Sequence, residues 1–318
     1  MSRRVLPVSL AGLLLPLLLA AAPPVRPVRL ADPVPDTFSG VARIVAVGDV
    51  HGDVEAFKEV LRLAKVIDAR GKWIGGKTHL VQTGDVPDRG DRTREAFELL
   101  MRLEKEALAA GGRVHALLGN HEVMNMLGDL RYITSGELAS FADQSPAPDT
   151  EGSKGTNGHR TAYGPLGRYG RWLRTHPAVI RINDTLFVHG GVSSNVPLQT
   201  LTEINLWVRR DLFPDELEGV RGGGRDSNGP LWYRGYYFGQ EGGGYSAIQR
   251  VLQRHGARRM VMGHTTEPDG KIHTRYEGQA VFIDTGISTY AGRHLSALEI
   301  RGDTLTALYP DGRVELKD

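Results

Sequence analysis

The chain has 318 residues and no cysteine. That absence removes disulfides, thiolate-rich structural zinc sites, a thiolate nucleophile and a cysteine-linked lipid anchor. Charge of one sign is missing too: 39 Lys and Arg stand against 37 Asp and Glu, a net +2 spread along the chain. Nothing in that pattern marks nucleic acid as a main partner. No internal repeat is visible. Gly222-Gly223-Gly224 and Gly242-Gly243-Gly244 match no phosphate-cradling pattern that opens a helix after a strand, and read as flexible loops.

Long apolar runs are scarce as well. The run from Val5 to Leu19 follows Arg3-Arg4, is interrupted by Pro7 and Pro16, and falls short of the ~20 residues a spanning helix needs. It resembles a secretory signal peptide over residues 1–22, with Ala20-Ala21-Ala22 offering a cleavage region although Pro23 disfavours the last bond. An uncleaved membrane anchor is the alternative. Export predicts a periplasmic or secreted protein. Residues 23–40 read as a Pro-rich linker and 41–318 as one domain.

Within that domain the chemistry collects where apolar runs stop. Runs over 41–47, 78–83 and 114–118 read as buried strands, and helical spacing over 54–67 and 96–108 makes a parallel α/β unit. Each strand is followed by polar residues: Gly48-Asp49-Val50-His51-Gly52-Asp53, then Gly84-Asp85-Val86-Pro87-Asp88-Arg89-Gly90, then Gly119-Asn120-His121-Glu122. The carboxyl ends of parallel strands are where ligands bind in such sheets. Two further runs end the same way, at His189-Gly190-Gly191 and at Gly263-His264.

Residues two apart on an extended segment share a face, so Asp49 and His51 are expected to reach one ion together. A carboxylate has two oxygens and can bridge two cations, which assigns Asp85 as the bridge. Asn120, His189 and His264 are the candidates for the second ion. Two divalent ions bring about +4, two carboxylates remove about 2, and Asn and His remove nothing, leaving about +2. A residual positive charge suits an anionic phosphate ester. The mixed Asp, Asn and His set points to manganese, iron or zinc rather than calcium. His79, His115, His159, His176, His255, His273 and His294 have no matching context, and most read as surface or packing residues.

The series Asp49-X-His51, Gly84-Asp85-X-X-Asp88-Arg89-Gly90, Gly119-Asn120-His121-Glu122, His189-Gly190 and Gly263-His264 resembles the phosphoprotein phosphatases within the calcineurin-like metallophosphoesterases. The Asp88-Arg89-Gly90 extension and Glu122 mark that branch. Phe282-Ile283-Asp284-Thr285-Gly286 departs from the eukaryotic serine/threonine enzymes. With Gly229-Pro230-Leu231-Trp232-Tyr233-Arg234-Gly235, it looks most like the Shewanella-like phosphatases, some of which act on phosphotyrosine. The resemblance implies a four-layer α/β/β/α sandwich around a pair of mixed β-sheets. It gives Asp49, His51 and Asp85 to one metal and Asp85, Asn120, His189 and His264 to the other.

The implied reaction is direct, in-line attack of a metal-activated water on a phosphate monoester. His121, oriented by Asp88, would protonate the leaving group, and Arg89 would clamp phosphate oxygens through its planar fork. Arg234 is the implied second clamp. The aromatic residues around it, Trp232, Tyr233, Tyr236, Tyr237 and Phe238, could wall a substrate cleft. Tyr290 stands outside the core set. Residues 123–177 lack strand signals and are expected to form a cap-like insertion near the cleft. From Ala178 onward strands dominate, with helices expected over 198–213 and 246–255 and a second, mostly antiparallel sheet. The expected partner is a phosphorylated protein or peptide. A dinucleoside-polyphosphate hydrolase or other phosphodiesterase is one alternative, and a non-catalytic phospho-binding module another.

Overall fold

Short apolar strands with two buried faces force helices or a second sheet onto each side. The computed structural model describes residues 28–146, 155–213, 221–239 and 244–317, so the expected signal peptide lies outside the described residues. The strands are β1 (Thr37–Phe38), β2 (Ile44–Val47), β3 (His79–Gln82), β4 (Arg113–Ala116), β5 (Val179–Ile182), β6 (Thr185–Val188), β7 (Arg259–Met262), β8 (His273–Arg275), β9 (Ala280–Phe282), β10 (Ala297–Arg301), β11 (Thr304–Tyr309) and β12 (Gly312–Leu316). The helices are α1 (Val54–Leu63), α2 (Thr93–Ala109), α3 (Asn120–Met126), α4 (Ser135–Ser140), α5 (Thr156–Tyr163), α6 (Arg168–Leu173), α7 (Leu201–Arg210), α8 (Gly235–Phe238) and α9 (Tyr245–Arg254).

One sheet runs β12-β11-β10-β2-β3-β4 and the other β1-β5-β6-β7-β9-β8. Alternation along each strand explains the layering. Val45 and Val47 of β2 face the α1 and α2 side, where they meet Phe57, Leu61, Phe97 and Leu100. Ile44 and Ala46 face the other way, into a core between the sheets with Phe187, Val261 and Val281. On the second sheet Leu186, Val188, Met260 and Met262 point outward and are covered by Ile204 of α7 and Ile248 and Val251 of α9. The result is helices, sheet, sheet, helices. The expected four layers with two mixed sheets are observed.

Several expectations need correction. The second sheet is mixed rather than mostly antiparallel, because β1-β5, β6-β7 and β7-β9 all pair in parallel. The antiparallel strands β10 to β12 extend the first sheet instead, with Leu298 opposite Ala46. Helix α1 ends at Leu63, short of the expected 67, since Lys65 turns out at φ +53°. The described part of residues 123–177 carries the rest of α3 and the short helices α4, α5 and α6, joined by turns.

The linker expected over 23–40 is packed from residue 28 onward. Val28 and Leu30 touch the core, β1 pairs with β5, and buried Arg209 donates to the carbonyls of Arg29, Leu30 and Asp32 at 3.0, 2.9 and 2.9 Å. Gly222 and Gly224 are likewise not loose. Their N–H groups both donate to the Asp211 carboxylate at 3.0 Å. Gly242 and Gly243 lie outside the described residues.

Candidate metal centre

The carboxyl ends of β2, β3 and β4 in one sheet meet those of β6 and β7 in the other, and the six residues expected as ligands gather there. Asp49, His51, Asp85, Asn120, His189 and His264 are all buried. Backbone strain collects at the same place: His51, Asp85, Asp88, Arg89 and His264 are non-glycine residues at φ +46°, +58°, +70°, +65° and +67°. Each such conformation costs about 1–2 kcal/mol and persists where function requires it. The pleat that was expected to align Asp49 with His51 is absent. A left-handed turn at His51 does it instead, leaving Nε2 3.8 Å from Asp49 Oδ2. The turn is packed against Gly90, where a Cβ on Gly52 would sit 2.5 Å from the Gly90 carbonyl oxygen.

The imidazoles are oriented as ligands. His51 Nδ1 donates to the Pro87 carbonyl at 3.1 Å and His189 Nδ1 to the Thr83 carbonyl at 3.0 Å. A carbonyl only accepts, so Nδ1 carries the proton and Nε2 presents its lone pair, the form in which an imidazole coordinates. His189 Nε2 lies 2.9 Å from Asn120 Oδ1 and 3.2 Å from Asp85 Oδ2. His264 Nε2 is buried with no hydrogen-bond partner. An orphaned imidazole nitrogen beside carboxylates fits a cation. Two candidate clusters result, His51 with Asp85 and His121, and Asp85 with His189 and His264, and they share Asp85 as a bridge would.

The electrostatics of the cluster suit a cation. Burial, then Asp284 and Asp85, push the Asp49 carboxyl well above its usual range. Burial would raise Asp85 as well, but His189, His121 and His51 outweigh it and hold its carboxyl well below the usual range. Burial pushes His51 down to about 3, and His264 well below the ordinary imidazole value. Neutral imidazoles and crowded carboxylates are what divalent ions bind.

His121 and Asp88 lie buried beside the expected ligands. His121 Nδ1 meets Asp88 Oδ2 at 2.5 Å, and its Nε2 is 3.7 Å from Asp85 Oδ2. Burial alone would lower the His121 pKa, but Asp85 and Asp88 outweigh it and raise it above the ordinary value. Arg89 donates to His51 Nε2 at 2.8 Å and lies 3.5 Å from His121 Nε2. Its guanidinium is held between the rings of Tyr132 and Tyr290, 5.6 and 5.4 Å away. Arg234 is half-buried, donates to Thr265 Oγ1 at 2.8 Å, and is shifted down by burial against the pull of Asp49, Asp85 and Asp284. Both arginines therefore face the cluster.

The sequence model of the calcineurin-like phosphoesterases matches residues 42–268. The chain belongs to the calcineurin-like metallophosphoesterases. Shewanella-like protein phosphatase 2 of Arabidopsis thaliana is 32% identical over 309 residues, covering 84% of this chain and 77% of that protein. Shewanella-like protein phosphatase 1 of Plasmodium berghei is 29% identical over 267 residues, 80% of this chain and 70% of that one. Among solved structures, a cold-active protein-tyrosine phosphatase of a psychrophilic Shewanella species is similar at TM-score 0.75 and 30% identity, over 91% of this chain and 84% of that chain. This metallophosphoesterase is thus an enzyme of the Shewanella-like phosphoprotein phosphatase branch, and its family works through a dinuclear metal centre.

Sequence reasoning assigned no structural role to several residues around the centre of this metallophosphoesterase. Glu122 accepts the backbone N–H groups of Gly119, Asp85 and Val86 at 2.8, 2.9 and 2.8 Å, pinning the β3 loop to the start of α3. Asp284, cited only as a departure, accepts from Thr266 Oγ1 at 2.7 Å and adds its charge to Asp49. It follows β9 after one residue, the strand-then-polar signal that had found the others. His159, grouped with the bystanders, is fully buried and joined to Asp88 through Asn125. The aromatic cluster divides: Tyr233 and Tyr236 are core, whereas the Trp232 ring is 6.0 Å from that of His264.

Proposed function

We propose that this metallophosphoesterase is an exported phosphatase acting on phosphoproteins or phosphopeptides, with phosphotyrosine the first substrate class to try. Export rests on the basic and apolar segment at residues 1–22. The substrate class is supported by the protein-phosphatase names of the relatives and the tyrosine phosphatase activity named for the Shewanella structure. Asp49, His51, Asp85, Asn120, His189 and His264 would hold two divalent ions, manganese by preference, with iron or zinc as alternatives. When bound, those ions supply Lewis-acid charge and lower the pKa of a water.

The chain's own residues carry the rest. Arg89 and Arg234 bind and orient the phosphate oxygens, a task the planar guanidinium fork performs better than a point charge. His121 gives a proton from Nε2 to the departing oxygen, since Nδ1 is committed to Asp88. The Trp232 ring lies 6.0 Å from that of His264 and the Tyr132 ring 5.1 Å from that of His121, so both border the centre.

The observation that carries this reading is the 2.5 Å His121–Asp88 pair set beside Asp85 and Arg89. A phosphodiesterase shares the ligand set, so the test compares matched phosphotyrosine, phosphoserine and phosphothreonine peptides with a bis-substituted phosphate under manganese. Peptide hydrolysis lost in His121→Ala supports the reading. Turnover of the bis-substituted ester alone would replace it.

A further inference from the structure

Asp88 holds His121, and the groups that hold Asp88 come from helices α3, α4 and α5. Glu137 of α4 accepts the Asp88 backbone N–H at 3.1 Å. Asn125 of α3 donates through Nδ2 to Asp88 Oδ1 at 3.0 Å and to the His121 carbonyl at 2.9 Å. With its nitrogen so used, the Asn125 amide presents Oδ1 to His159 Nε2 of α5, 2.9 Å away. An amide oxygen only accepts, so Nε2 carries the His159 proton. His159 is fully buried, stacked on Tyr163 at 4.2 Å and edge-on to Phe141 at 5.3 Å. Burial pushes its pKa down to about 4, so near neutral pH it has one ring proton, and Nδ1 has no partner.

We propose that His159, acting through Asn125, is a positioning residue for the proton donor: its Nε2–H locks the Asn125 amide so that the nitrogen, not the oxygen, faces Asp88. Were the amide to flip, its oxygen would oppose the Asp88 carboxylate. The carboxylate would then rotate and release His121 Nδ1. A phenylalanine at 159 could stack on Tyr163 equally well, so packing alone does not require a ring nitrogen there. The segment expected as a cap thereby reaches His121 through three hydrogen bonds, His159 to Asn125 to Asp88 to His121. The inference rests on reading His121 as the proton donor.

The test uses the full chain under saturating manganese with two monoesters that differ in leaving group. The phenolate of phenyl phosphate needs a proton, whereas that of 2,4-dinitrophenyl phosphate leaves without one. His159→Phe keeps the stack and deletes the donor. It is expected to lower kcat on phenyl phosphate by about 10-fold to 100-fold, with KM within about twofold and dinitrophenyl turnover within about threefold. His159→Gln, which restores an N–H near the Nε2 position, should recover most of the loss. His121→Ala should show the same selectivity at about 100-fold or more, and His121→Ala with His159→Phe should be no worse than His121→Ala alone.

Dinitrophenyl turnover also reports folding and metal loading in every variant. If His121→Ala is selective but His159→Phe is not, or if their effects multiply, the positioning role is overturned and the proton-donor reading survives. If His121→Ala itself shows no selectivity, the proton-donor reading falls and takes this inference with it.

Discussion

Glu122→Ala probes how the ligand loops are held. Glu122 is 1% exposed and accepts three backbone N–H groups, from Gly119, Asp85 and Val86. Each buried donor left without a partner costs about 1–3 kcal/mol, so the three together cost roughly 3–9 kcal/mol. An opposing effect reduces this: burial and the neighbouring Asp85 push the Glu122 carboxyl up, so its charge is held at a cost that alanine removes. That relief offsets part of the cost and leaves the lower part of the range, about 3–5 kcal/mol, a large share of a typical 5–15 kcal/mol. Urea unfolding of metal-free protein checks it, with a lower midpoint at unchanged slope. Glu122→Gln keeps one accepting oxygen and should lose about half as much, roughly 2 kcal/mol. A loss below about 1 kcal/mol in Glu122→Ala would refute the claim that this side chain fixes the loop of Asp85.

Arg209→Ala frees three carbonyls and the stacking of its guanidinium 5.3 Å from the Phe213 ring, so it should cost about 2 kcal/mol and speed proteolysis within residues 28–36. Equal cleavage rates in variant and parent would show that the segment is held by other contacts. Arg89→Lys should lower kcat/KM for a phosphopeptide by about 10-fold to 100-fold without changing metal content, because the ammonium cannot grip two oxygens at once. Unchanged kinetics would remove Arg89 from phosphate binding. The folded pKa of His159, about 4, lies below its ordinary 6.5, so its contribution to stability is fully present above that value and is lost as pH falls toward 4. Roughly 3 kcal/mol should disappear across that window, and the stability curve of His159→Phe should be flatter by that amount. Parallel curves would contradict the burial effect.

The parts of this molecule written in local pattern were legible in its sequence. Asp85, His189 and His264 each end an apolar run, and that rule placed them at the carboxyl ends of strands, which the fold then brings together. The sheet assignment of β10 to β12 was not legible, because hydrophobic alternation gives the face of a strand but not its neighbour. Arg209 reaches across more than 170 residues to the carbonyls of residues 29–32, and no local composition distinguishes a docked Pro-rich segment from a loose one. His159 was passed over for the same reason. Its partner is an amide 34 residues earlier, and nothing in the sequence around it signals that contact. Asp284 is different, since the rule that found Asp85 applied to it and was not used there.

The central claim is a bridged pair of ions serving a phosphate monoester. Its most direct test is elemental analysis of the manganese-loaded full chain alongside hydrolysis of an aryl phosphate monoester and its diester, with Asp85→Asn in parallel. The structure predicts two ions per chain, preference for the monoester, and loss of both bound metal and turnover in Asp85→Asn. Full activity with a single ion, or hydrolysis confined to the diester, would contradict it.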